Sequence, residues 1–169
     1  MNIGFTGHRP NRLGGFNDQA RQRLYKFVHN QMLRIEDEHT VYHGCALGFD
    51  MAVATAALDQ GHRVVSCIPF LGFNARWPLS SVLELDTILN RSNEVIIVVS
   101  EQEWAKEHAP IALNQRNNFI VDNTSQLYAM ACGAPSGTQN CVDYAERKNK
   151  PVKHLWRDWL KFQTNFKHR

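Results

Sequence analysis

The sequence predicts an α/β protein: a single Rossmann-like domain, with a mainly parallel sheet and helices on both faces. Three observations carry this. Short apolar runs alternate with longer amphipathic ones along the chain, the order that builds right-handed βαβ units. Most of the apolar runs are continuous, as in parallel strands covered on both faces. The chain has 169 residues, enough for one core, and no repeat, linker or low-complexity segment divides it.

The elements follow in order. Residues 2–6 read as a strand that stops in a glycine-bearing turn. Residues 17–36 read as a helix, because Leu24, Phe27, Val28, Gln31, Met32 and Ile35 recur at helical spacing. Residues 40–43 form a second strand, and the Ala-rich stretch 49–60 a helix closed by Gly61. A third strand, 63–68, ends at Pro69. The irregular stretch 69–78, with Phe70, Phe73 and Trp77, follows a strand end and is expected to wall a site. Helix 79–89 precedes a fourth strand, 94–99, apolar enough to be buried on both faces. A helix at 111–121, a strand at 126–131, a helix at 138–148 and a short strand at 152–155 complete the set. Residues 153–169 make a basic, aromatic C-terminal helix or tail within the same domain.

Composition narrows the function. With 43% hydrophobic and 21% charged residues, the chain is neither disordered nor collagen-like. The aliphatic run 95–99 is far too short to span a membrane. The N-terminus has no basic region followed by a long apolar one, so a signal peptide is not expected and the predicted location is the cytoplasm. From Lys153 onward five Lys/Arg face one acid, Asp158, so the tail carries the positive charge and the body is near neutral. The four cysteines, Cys45, Cys67, Cys132 and Cys141, include no CxxC pair and read as reduced, mostly buried thiols; no zinc site is expected.

Ligands of open α/β sheets bind outside the carboxyl ends of the strands, so the residues after each strand matter most. After the first come Thr6, Gly7, His8 and Arg9, then Arg12, where glycine admits a close ligand and the cations suit phosphate. After the second come Gly44, Gly48 and Asp50 entering a helix, whose free N–H groups favour an anion and whose Asp either caps or accepts a ribose hydroxyl. After the fifth come Ser136, Gly137 and Thr138, again opening a helix, with Thr138 also a good N-cap. The amide-rich run 114–118 holds Arg116 and Asn117. Together these turns point to a nucleotide or a similar anion held across the strand ends.

Four segments resemble those of the SLOG superfamily, in particular its YspA/YpsA-like branch: TGHRP at 6–10, HGCALGFDMA at 43–52, QRNNFIVD at 115–122 and GAPSGT at 133–138. The resemblance implies a Rossmann-like sheet with a nucleotide pocket. It extends to the LOG phosphoribohydrolases and to the Rossmann domain of DNA-processing protein A. In the LOG pattern a Glu stands three residues beyond the Gly-Thr pair; here that position is Cys141, while Arg116 matches the family's catalytic arginine. The phosphate-binding half is kept and the acid is not, so binding of a nucleotide or nucleotide-derived molecule, as a sensor or sequestering protein, is the leading expectation. Two others stand beside it. One is a phosphoribohydrolase using the same pocket, with Asp50 or His8 as substitute acid. The other is single-strand nucleic-acid binding through the basic aromatic tail. On the tail, however, Leu155, Trp159, Phe162 and Phe166 share one helical stripe, more typical of a docking face. A homo-oligomer is expected on general grounds. No cofactor is evident, and whether Mg²⁺ accompanies a phosphorylated ligand is left open.

Overall fold

The computed structural model describes residues 1–35 and 38–167. The predicted helix end at residue 36 lies outside the described residues. Six strands form one parallel sheet in the order β4-β3-β2-β1-β5-β6. They are β1 (Asn2–Gly7), β2 (Thr40–His43), β3 (Arg63–Ile68), β4 (Glu94–Ile97), β5 (Gln126–Met130) and β6 (Val152–His154). The helices are α1 (Asp18–Leu33), α2 (Phe49–Asp59), α3 (Leu79–Arg91), α4 (Gln102–Glu107), α5 (Ala109–Asp122), α6 (Gly137–Arg147) and α7 (Trp156–Lys167).

From β1 the chain steps outward through β2 and β3 to β4. It then returns through α4 and α5 to place β5 on the other side of β1, with Gly4 opposite both Tyr42 and Leu127. The direction of winding reverses at β1 and β5, which opens a crevice at their carboxyl ends. Two of the crevice-forming contacts depend on glycine. A Cβ at Gly7 would lie 2.3 Å from the Phe49 ring of α2. Gly7→Ala should therefore destabilise the fold by about 1–3 kcal/mol through overpacking, read as a lower urea midpoint; an unchanged midpoint would show that α2 does not sit this close. Gly48, at φ +90, turns the chain into α2 with its Cα side facing the His8 carbonyl, 2.9 Å from where a Cβ would stand.

The main core lies between the sheet and α1, α2 and α7, and includes Ile3, Phe5, Phe27, Val41, Phe49, Val64 and Trp159. On the opposite face α5 and α6 cover β1, β3 and β5 through Ile120, Val121, Val142 and Ala145. The C-terminal stripe packs where its spacing predicts. Leu155 and Trp159 are buried, and Trp159 and Phe162 meet the Phe27 ring of α1 at 5.3 and 5.4 Å.

Three expectations need correction. The fourth strand is not buried on both faces: β4 is the sheet edge, with only Ile96 turned onto the α5 side, and Val95 and Ile97 are 43% and 40% exposed. An aliphatic run reports β propensity without reporting position in the sheet. The 69–78 stretch does not wall the strand-end crevice. Phe70 and Phe73 pack against Val98, Val99, Ala105 and Ala112 instead, and Pro78 borders a separate hollow. A further short helix, α4, precedes α5 where no element was expected.

Candidate functional site

The crevice is a cleft of about 350 Å³ over the ends of β1 and β5. Ten of the twelve expected residues line it: Thr6, Gly7, His8, Arg9, Asp50, Arg116, Asn117, Ser136, Gly137 and Thr138. The other two sit behind it. Gly44 supports Arg116 from below, and Gly48 faces the neighbouring hollow. A larger hollow of about 530 Å³ lies between α1, α2 and the start of α3. Its one cation, Arg21, is already held by Glu84 at 2.5 Å, so it offers an anion little.

Arg116 is the floor of the cleft. It is buried on α5, its Nε–H donates to Asn117 Oδ1 at 2.9 Å, and one terminal N–H donates to the Gly44 carbonyl. A Cβ at Gly44 would stand 2.7 Å from the guanidinium carbon, so any larger residue there would displace the guanidinium from its place. Guanidinium has five N–H donors, and the remaining ones are available to a ligand. Asn117 in turn donates to the Gly137 carbonyl at 3.3 Å, which ties α5 to the start of α6. That start is capped by Ser136, whose hydroxyl accepts from Gln139 N–H at 3.0 Å, and not by Thr138. The N–H groups of Gly137 and Thr138, first in α6, are left without helical partners, the arrangement that receives anions.

Asp50 occupies the first turn of α2 but does not cap it. Its Oδ2 reaches back to accept from Gly44 and Ala46 N–H at 3.2 and 3.3 Å, closing the 44–48 loop. Its Oδ1 is buried with no partner among the described residues. Burial pushes the carboxyl up to about 6, against the opposing pull of Arg116. In the unfolded chain it ionises near 3.8. Between these values the folded state holds the extra proton, so this group's contribution to stability is lost as pH rises through that window. Asp50→Asn should remove that dependence. Its melting temperature, relative to the parent, should rise between pH 4 and pH 7; a difference independent of pH would refute the assignment.

The first turn also differs from expectation at one residue. His8 was expected as a cationic donor. Its ring is buried, burial and then Arg12 lower its pKa, and its Nε2 accepts from Cys132 N–H at 2.9 Å. Its carbonyl accepts from Phe49 N–H at 3.3 Å. His8 is thus a neutral clamp joining the turns after β1 and β5 to α2, and the cations at the mouth are Arg9 and Arg12, the latter donating to Cys132 Sγ at 3.4 Å. A second buried histidine fixes the other loop. Burial pushes His43 down to about 3; its Nδ1 accepts from Cys45 N–H, so its proton lies on Nε2, 2.6 Å from Ser66 Oγ. Neither histidine role is visible in the sequence: His8 answers to Cys132, far along the chain, and His43 to Ser66 on the neighbouring strand as well as to nearby Cys45. Three arginines and one acid line the cleft, a balance that attracts anions.

Among the described residues no group of three or more His, Cys, Asp or Glu is arranged to hold a metal ion, and no helix is long and apolar enough to cross a membrane.

The profile of the YspA SLOG family matches residues 3–160. The chain belongs to this SLOG family. A relative, the uncharacterized SPbeta prophage-derived protein YoqJ of Bacillus subtilis strain 168, is 26% identical over 141 residues, covering 77% of this chain and 82% of YoqJ. Among solved structures, DNA processing protein A (DprA) of Streptococcus pneumoniae superposes with a TM-score of 0.65 at 19% identity, over 90% of this chain and 49% of that one. DNA processing protein A of Helicobacter pylori, solved for its single-stranded DNA binding mode, superposes with a TM-score of 0.55 at 14% identity, over 91% and 64%. The chain therefore spans about half to two thirds of these DprA chains, and the likeness establishes the shared fold.

Proposed function

We propose that this protein binds a nucleotide or nucleotide-derived small molecule at the carboxyl ends of β1 and β5, as a sensor or sequestering protein. The observation that carries this reading is the pairing of two unsatisfied features across one cleft. Arg116 and the free N–H groups of Gly137 and Thr138 present donors, and Asp50, whose buried Oδ1 has no partner among the described residues, lines the same cleft. A phosphate fits the donors, and a ribose hydroxyl fits the acceptor. Arg9 and Arg12 at the mouth steer the anion in.

The residue pattern favours binding over cleavage. Cys141, at the position where the resembling hydrolases carry an acid, is buried and its thiol is pushed up to about 12. His8 has committed Nε2 to Cys132. Asp50 is the one group in the cleft whose raised pKa suits proton transfer, so it is where hydrolysis would have to originate. Incubation with AMP, followed by calorimetry and chromatography of the products, separates the two. Binding with AMP recovered intact is expected; release of adenine, lost in Asp50→Ala, would replace this reading with phosphoribohydrolysis.

Single-strand binding, the mode described for DNA processing protein A of Helicobacter pylori, draws less support from this chain. The tail aromatics that would stack on bases include Trp159, which is buried, and Phe162, which is packed on α1.

A further inference from the structure

Beside the cleft, α5 and α6 leave a polar groove of about 200 Å³ that no part of the phosphate and ribose reading uses. Its walls are two helical stripes facing each other. Asn114, Asn117 and Asn118 come from α5, and Asn140, Asp143 and Arg147 come from α6 at i, i+3 and i+7. Asn114 and Asn117 also line the cleft, so the two spaces adjoin. Asn117 is committed to Arg116 and Gly137 and forms the divide. The side-chain amides of Asn114, Asn118 and Asn140 bond to no other described residue. Asp143 accepts from Gln139 Nε2 at 3.0 Å through one oxygen, which leaves the other without a protein partner. Arg147 lies with its guanidinium carbon 5.8 Å from the Tyr144 ring centroid, at the far end of the groove.

Resting on the nucleotide reading above, we propose that this groove is a nucleobase subsite, and that the base it takes carries an exocyclic amine beside a ring acceptor, as adenine does. A side-chain amide presents a donor and an acceptor side by side, the complement of that edge. The Asp143 carboxylate accepts from an amine and repels a carbonyl oxygen, which turns the preference toward the amino-bearing base. The phosphate end is held by Arg116 and the start of α6, and the groove begins at the shared asparagines, so one mononucleotide engages both.

The test compares ribose 5-phosphate with AMP by calorimetry, on the parent and on Asn118→Ala and Asn140→Ala. Both asparagines are at least partly solvent-accessible, so the variants keep the fold. AMP should bind about tenfold or more tightly than ribose 5-phosphate. Each variant should lose most of that preference while binding ribose 5-phosphate unchanged. Equal affinity for the two probes in the parent, or a preference that survives both substitutions, would overturn the subsite while leaving the phosphate cleft standing. Failure of both probes to bind the parent would remove the phosphate cleft and the subsite together.

Discussion

Arg116→Ala should weaken binding of ribose 5-phosphate or AMP, with at least a tenfold rise in dissociation constant and a larger one if the phosphate takes two of its N–H groups. Hydrogen bonds to a charged partner are worth roughly 1.5–3 kcal/mol each, and two such bonds lost together correspond to roughly a hundredfold or more. The loss extends beyond the direct contact. Arg116 holds Asn117, Asn117 holds the Gly137 carbonyl, and Gly44 keeps its side free of a Cβ that would displace the guanidinium. Removing Arg116 also removes the positive charge that draws the Asp50 pKa down, so Asp50 should titrate higher still in the variant. The check is calorimetry beside a carboxyl titration by NMR. An unchanged dissociation constant with a raised Asp50 pKa would mean that the guanidinium is structural and the ligand is held elsewhere.

Trp159→Ala is expected to be the most destabilising single change in the C-terminal segment. The indole is 1% exposed, edge-on to Phe27 at 5.3 Å and near-parallel to Phe162 at 6.1 Å. Truncating such a side chain costs about 3–5 kcal/mol, which for a domain of this size lowers the melting temperature on the order of 10 °C. Thermal unfolding followed by circular dichroism gives the answer. A drop of only a degree or two would make α7 a loosely held appendage and would return its aromatics to the single-strand reading.

The fold was legible in the sequence wherever local pattern and long-range packing agree. The strand and helix alternation, the parallel sheet and the stripe at 155, 159, 162 and 166 all follow from periodicity, and each is present. What periodicity does not carry is which strand lies at an edge. The run beginning at Val95 is as aliphatic as any central strand, and only the return of the chain to β5 leaves β4 uncovered. The candidate site was legible as a set of turns, since glycine and hydroxyl residues between a strand and a helix lie at the strand ends where the cleft forms. The roles inside it were less so. Glycine at 44 answers to an arginine at 116, and the histidine at 8 answers to an amide at 132; neither partner is marked by spacing along the chain. Asp50 read equally as a helix cap or a ligand group, and only the geometry separates its bonded Oδ2 from its unpartnered Oδ1.

The location of binding is tested most directly by an amide and guanidinium NMR titration with ribose 5-phosphate. The shifts should concentrate on Gly7, Ala46, Gly137, Thr138 and the Nε–H of Arg116, with residues of the α1, α2 and α3 hollow unmoved. Shifts confined to that larger hollow, or none at millimolar ligand, would contradict an anion site at the ends of β1 and β5.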